Sequence, residues 1–279
     1  MWLAAAEVAG LTRLGKAHLT GAPRGVLLEV AYDGTAFCGW AAQNGPRTVA
    51  ETLRRAVVAI DPGSGPLRGA SRTDAGVHAD GQAVAFDTSR DIAARGWVLG
   101  LNRHLPDDVA VRAARAVPPG YAPRFASRGK RYRYRVLVDE VRDPRWRTRA
   151  WRVPALDVAV LEREAEAARG SHDFASFRAS ADERASTVRV LTRVDVEREE
   201  DPRVVAVVVE GDAFLYKMVR ILVGTMVDVG RGRLGAGAVG RALEAKDRRS
   251  AGTTAPAHGL VLEQVELDLP ADAGERWPR

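Results

Sequence analysis

The chain of 279 residues contains a single cysteine, Cys38. That excludes a disulfide within the chain and a zinc site built on clustered thiolates. Histidine is also sparse. His18, His78, His104, His172 and His258 are scattered with no HxxxH pair, so metal catalysis is not expected. Long apolar runs are missing as well. The longest apolar helical stretch, Ile221 to Val229, is too short and too interrupted to span a bilayer. The opening residues, MWLAAAEVAGL, are mildly apolar, but no basic region precedes them as a signal peptide requires. The expectation is a cytoplasmic, reduced protein with no metal and no membrane contact.

Apolar residues are present in quantity. They make up 46% of the chain, enough for a substantial core in one large domain or two of ordinary size. Lys plus Arg number 42 against 36 Asp plus Glu, for a formal charge of +6, and most of the basic residues are arginine. A basic chain suits an acidic partner, with nucleic acid the first candidate. An arginine-rich genome bias produces the same composition, so the placement of the charge has to decide.

Residues 1–22 read as a variable lead-in. Residues 26–34 then read as a strand and 47–60 as a helix, with Thr48 and Glu51 at capping-box spacing and Val49, Leu53, Val57 and Ile60 along one face. DPGSGP stops that helix. Residues 67–82 read as a loop, 83–88 as a strand, 92–105 as a helix and 109–117 as a strand. The Pro-rich stretch PPGYAPRF at 118–125 marks a boundary. Beyond it, strands are expected over 129–139, 187–197, 203–212 and 259–269, and helices over 156–169, 213–230 and 238–246. The pattern predicts an α+β protein: two α/β lobes, 23–120 and 121–279, with mixed sheets.

Three segments hold residues that could do chemistry. In ASRTDAGVHADGQ (70–82), Asp74 follows Arg72 by two residues, and Gly76 permits a tight turn. A nearby guanidinium favours the carboxylate form. Such an aspartate suits a nucleophile, a base or a metal ligand; it equally suits an Asx-type turn with a surface ion pair. In GKRYRYR (129–135), Tyr132 and Tyr134 point to one side of a strand and Arg131, Arg133 and Arg135 to the other. That arrangement fits base stacking and phosphate pairing, or a plain amphipathic strand. In FLYKMVRILVG (214–224), Lys217 and Arg220 interrupt an apolar helix on a shared face. An arginine there needs an anionic partner, or a rim position with its stem lying along the apolar surface.

Taken together and in order, these segments resemble the tRNA pseudouridine synthase A family. SRTDAGVHA resembles the family's GRTDAGVHA motif. AYDGTAFCGW, RTVAETL, LNRHLPDDVAV, RFASRGKRYRYRV, HDFASFR, AFLYKMVRILVG and AKDR resemble further family segments, from about residue 26 to 262. The resemblance implies the pseudouridine synthase fold, with a basic cleft between two lobes of similar topology and mainly antiparallel sheets. It implies isomerisation of uridine to pseudouridine at positions 38, 39 and 40 of the tRNA anticodon stem-loop. It further implies a homodimer and no metal or organic cofactor. On the same basis Asp74 is the catalytic aspartate, Arg72 the arginine of its motif, Tyr132 the base-stacking tyrosine, Arg220 the partner of Asp74, and Leu260 a lining residue of the uracil pocket. Lys217 and Arg131 are further candidates for holding RNA, and His78 is expected to be structural. Ser71 departs from the usual Gly, where a Cβ would restrict the loop if φ were positive. Ala41 and Ala50 replace frequent glutamines. Two other functions remain to be weighed: an RNA-binding protein of the same fold that has lost the reaction, and a hydrolytic nucleosidase or glycosylase using one carboxylate.

Overall fold

The computed structural model describes residues 22–269. The expected lead-in lies outside them up to residue 21, as does the tail from residue 270. The strands are β1 (Arg24–Tyr32), β2 (Arg68–Gly69), β3 (His78–Thr88), β4 (Val109–Val117), β5 (Ser127–Val138), β6 (Trp151–Val153), β7 (Gly170–Asp173), β8 (Val188–Arg198), β9 (Val204–Gly211) and β10 (Leu260–Leu267). The helices are α1 (Val49–Ile60), α2 (Ala94–His104), α3 (Pro123–Ala126), α4 (Val158–Ala168), α5 (Met218–Gly230) and α6 (Ala238–Ala245).

All ten strands belong to one sheet, in the order β4-β1-β3-β10-β5-β9-β8-β7, with β2 on β3 and β6 on β5. The pairing is mainly antiparallel. The exceptions are β10 with β3 and β5 with β6, which run parallel. The expectation of mixed sheets therefore holds, with one addition: the two halves share a single continuous sheet. The joint is β10, the last strand among the described residues. It pairs Val261 with His78 on one side and Leu260 with Tyr134 on the other. A strand that closes so late in the sequence carries no local signal of the partner it will find.

One face of the sheet is apolar. Phe86 on β3 meets Trp97 of α2 edge to face at 5.1 Å. Leu161 of α4 and Leu222, Val223 and Met226 of α5 are fully or almost fully buried in the same core. On the opposite face, β5 carries an ionic ladder. Arg131 pairs with Glu210 at 2.7 Å, Arg133 with Glu197 and Glu263, and Arg135 with Glu199. The strand's alternation of tyrosine and arginine is thus resolved as tyrosines inward and arginines in ion pairs outward.

Three local expectations change. The loop over 67–82 is shorter, because β3 starts at His78. Gly81, which looks like a turn residue, sits inside the strand, where an added Cβ would lie 2.4 Å from the Glu263 carbonyl of β10. The glycine marks a close approach between strands rather than a turn. The helix expected over 213–230 begins only at Met218, because Lys217 takes the left-handed conformation at φ 60°. Thr48 is the N-cap residue of α1, but its hydroxyl makes no capping bond, and Glu51 pairs with Arg55 instead.

Candidate active site

A cleft of about 1240 Å³ opens where the two halves of the sheet meet. The loop 70–77 forms one wall. The β5 face bearing Lys130 and Tyr132, with segment 213–220, forms the other.

The loop is braced from below. Trp40 N–H donates to the Thr73 carbonyl at 3.1 Å, and Gly76 N–H to the Phe37 carbonyl at 3.3 Å. The Thr73 hydroxyl and the Tyr32 phenol lie 2.7 Å apart. Gln82, fully buried on β3, clasps Ser71 by accepting from its N–H and donating to its carbonyl. Gly76 supplies the turn at φ +78°. Ser71 is not among the residues with positive φ, so its Cβ is accommodated without strain. Tyr32, Thr73 and Gln82 were not singled out in the sequence. Their role depends on which strands pair, and only Gln82, a lone amide ahead of the apolar run AVAF, carries any hint.

Asp74 and Arg220 meet in this cleft. Arg220 Nη1 donates to Asp74 Oδ2 at 2.7 Å, and both side chains are largely shielded, at 13% and 17% exposure for Arg220 and Asp74. The same guanidinium donates from Nε to the Ala255 carbonyl at 2.8 Å, and Ala255 N–H donates back to the Arg220 carbonyl at 3.0 Å. The arginine in the apolar helix has therefore found its anion. Tyr132 lies on the facing strand. Its ring meets Phe214 edge to face at 5.0 Å, and its phenol is 3.0 Å from the Ser71 hydroxyl. Burial, helped by the nearby Asp74 charge and opposed by the Ser71 bond, pushes the phenol up to about 12. Leu260, almost fully buried at the start of β10, completes the apolar part of the lining.

Arg72 stands exposed on the loop and lines the cleft. Lys217 also lines it, with its ammonium 5.0 Å from the centre of the Tyr216 ring. Arg131 is not brought to the site. Strand alternation puts it on the far face, paired with Glu210. His78 is fully buried, with Nδ1 accepting from Gly34 N–H at 3.0 Å and Nε2 donating to the Thr148 carbonyl at 2.7 Å. Both ring nitrogens are committed to structure. Among the described residues no group of three or more His, Cys, Asp or Glu side chains could hold a metal, and no helix is long and apolar enough to cross a membrane.

The model of a family described as tRNA pseudouridine synthase matches residues 29–126 and 165–268. The chain belongs to this family. It is an enzyme of the isomerase type that converts uridine to pseudouridine in tRNA. It is 42% identical over 244 residues to the tRNA pseudouridine synthase A of Citrifermentans bemidjiense, covering 87% of this chain and 97% of that one. It is 40% identical over 243 residues to the tRNA pseudouridine synthase A of Acetivibrio thermocellus, covering 87% and 99%. A solved structure titled "Crystal Structure of a Cbf5-Nop10-Gar1 Complex" aligns with a TM-score of 0.37 at 14% identity, over 85% of this chain and 48% of that one. Family membership rests on the sequence matches. In this pseudouridine synthase, Asp74, Arg220, Tyr132 and Leu260 are gathered from four distant segments into one partly closed space.

Proposed function

We propose that this enzyme modifies the anticodon stem-loop of tRNA at positions 38, 39 and 40, with Asp74 as its essential carboxylate. The observation that carries the reading is the shielded Asp74–Arg220 pair in a cleft large enough for an extruded nucleotide. The reaction breaks the bond between uracil N1 and ribose C1′ and forms one between C5 and C1′. C5 then loses its hydrogen and N1 gains one, so no redox or acyl carrier is needed. A carboxylate can serve by adding to C1′ or by taking the C2′ proton to give a glycal-like intermediate. In either role it must be aimed, and the Arg220 guanidinium holds its Oδ2 at 2.7 Å.

The target base has to leave the stack, at a cost of a few kcal/mol. Stacking on Tyr132 offsets about 1–3 kcal/mol of this. Leu260 gives the uracil an apolar edge. Arg72 and Lys217, at the rim, hold the RNA backbone. Arg131 has no part in this assignment, because its ion pair lies on the other face. Within the described residues, the expected lobes 23–120 and 121–279 flank the cleft. A second copy of the chain completes the tRNA-binding surface, and sedimentation should show a mass about twice 30.1 kDa.

The test is tritium release from tRNA transcripts labelled at C5 of uridine. The wild-type protein should release tritium and no free uracil. Asp74→Asn should lower the rate by about 10⁴-fold or more, as loss of an essential catalytic carboxylate does. Free uracil would indicate a hydrolase. Salt-sensitive tRNA binding without release would indicate a binding protein that has lost the chemistry.

A further inference from the structure

The cleft wall beyond Tyr132 carries an excess of positive charge that the isomerisation chemistry does not use. Lys130 lies two residues before Tyr132 on β5, so it faces the same side of the strand. The register sets it opposite Gly211 of β9, which lies opposite Leu191 of β8, two residues from Arg189. Three neighbouring strands thus bring Lys130 and Arg189 to one end of the cleft, where Arg184 and Arg124 also line it. Three carboxylates line this end, Asp182, Glu183 and Asp212, and the first and last are already engaged. Asp212 accepts from the N–H groups of Val190 and Ala213. Asp182 accepts from the N–H groups of Tyr216 and Arg184 and lies 3.5 Å from the Arg184 guanidinium.

Two groups there lack what they need. Arg189 Nε is buried and has no hydrogen-bond partner. Lys130 forms no ion pair among the described residues. Burial depresses its ammonium, and repulsion from Arg124 adds to this, partly opposed by Asp212, with a smaller repulsion from Arg184. Crowded positive charge that lines a cleft wall without matching carboxylates is costly in the empty protein and is relieved by an entering oxyanion.

We propose that Lys130, Arg184 and Arg189, with Arg124 at the rim, form a phosphate subsite that takes one backbone phosphodiester of the RNA strand whose uridine reaches Asp74. This rests on reading the cleft as the tRNA site. It adds a fixed anchor that sets how far along the strand the target lies from a gripped phosphate.

The experiment measures tRNA binding against salt concentration for the wild type, Lys130→Met and Arg189→Gln, with melting curves to verify folding. Lys130→Met retains the packing stem and removes the charge. Each variant should weaken binding about tenfold and lower the slope of log affinity on log salt by about one. An unchanged slope with affinity within about twofold would overturn the subsite. Stabilisation by inorganic phosphate, lost in the variants while the tRNA slope stays unchanged, would assign the site to a free oxyanion and overturn the RNA role. Protection mapping provides a reading that does not depend on mutation. tRNA should shield Lys130 from acetylation at pH 8, and failure to shield it would also overturn the subsite. Binding and protection are read even if no protein isomerises uridine, so failure of the subsite is distinguishable from failure of the catalytic reading.

Discussion

Arg220 is held by two acceptors at a fixed angle, Asp74 Oδ2 on one side and the Ala255 carbonyl on the other. A planar guanidinium can meet both, whereas an ammonium cannot do so in the same geometry. Arg220→Lys should therefore keep the charge and lose the aim. Losing one charge-assisted bond is worth about 1.5–3 kcal/mol, which corresponds to about 10–150-fold in kcat. KM should hardly move, and an unchanged kcat would remove Arg220 from the proposed machinery. Tyr132 separates in a similar way. Tyr132→Phe keeps the ring and gives up the Ser71 bond, at about 1 kcal/mol of stability. Tyr132→Ala also gives up the stacking surface, a further loss in rate of about 5–150-fold. Equal losses in the two variants would place the role on the hydroxyl. Because burial pushes the phenol to about 12, Tyr132 should contribute no alkaline limb to the rate profile at ordinary pH. At this scale much was legible. An arginine within FLYKMVRILVG points to an anion or to a rim position, and Asp74, two residues from Arg72, suits chemistry or a turn. That the two meet across 146 residues of sequence was not readable from either segment alone.

Elements were legible by period and misread at their ends. The apolar stripe of α5 was plain, but its start depends on Lys217 taking φ 60°, which no local signal at a lysine announces. The same limit applies to α6. Its N-cap, Gly237, has no side chain to offer, and the cap comes from elsewhere: the buried Glu164 of α4 accepts from Gly237 N–H and Val239 N–H. A glutamate in LEREAEAAR reads as a solvated helix position, because periodicity reports a face and not the neighbour that covers it. Glu164→Ala would leave the buried Val239 N–H without an acceptor, costing about 1–3 kcal/mol, and free the part-buried Gly237 N–H at a smaller cost. The expected loss is about 3 kcal/mol, read as a lower urea midpoint. Retained stability would show that α6 does not depend on this cap. The contrast with α1 is instructive. There the sequence offers a capping box at Thr48 and Glu51, and the structure leaves the Thr48 hydroxyl unpartnered.

The whole molecule depends on contacts that cross between the two halves of its sheet. Strand β10 supplies the hydrogen bonds, and a polar cluster around His78 supplies a second link. His78 on β3 reaches the Thr148 carbonyl, and Arg149 reaches Asp33 at 2.9 Å. Burial and the neighbouring Arg149 charge hold the imidazole below its usual range, with Asp33, only 3.3 Å away, opposing them in part. His258 is likewise lowered by burial, and the Arg220 charge adds to this. For a histidine depressed in the folded state, the unfolded chain binds the proton first. Stability is then full above the unfolded value near 6.5 and is lost as pH falls through and below it, at up to about 1.4 kcal/mol per pH unit for each group. Protonation also removes the acceptor that Gly34 N–H uses at Nδ1. Glu29 works in the opposite direction. Its carboxyl is raised by burial, so its contribution is full below about 4.5 and fades as pH rises. Asp33 is lowered and matters only in stronger acid. Denaturant melts between about pH 7.5 and 5.5 should therefore show falling stability, and His78→Asn should flatten that slope while lowering the plateau. An unaltered slope in the variant would show that the junction does not sense this proton.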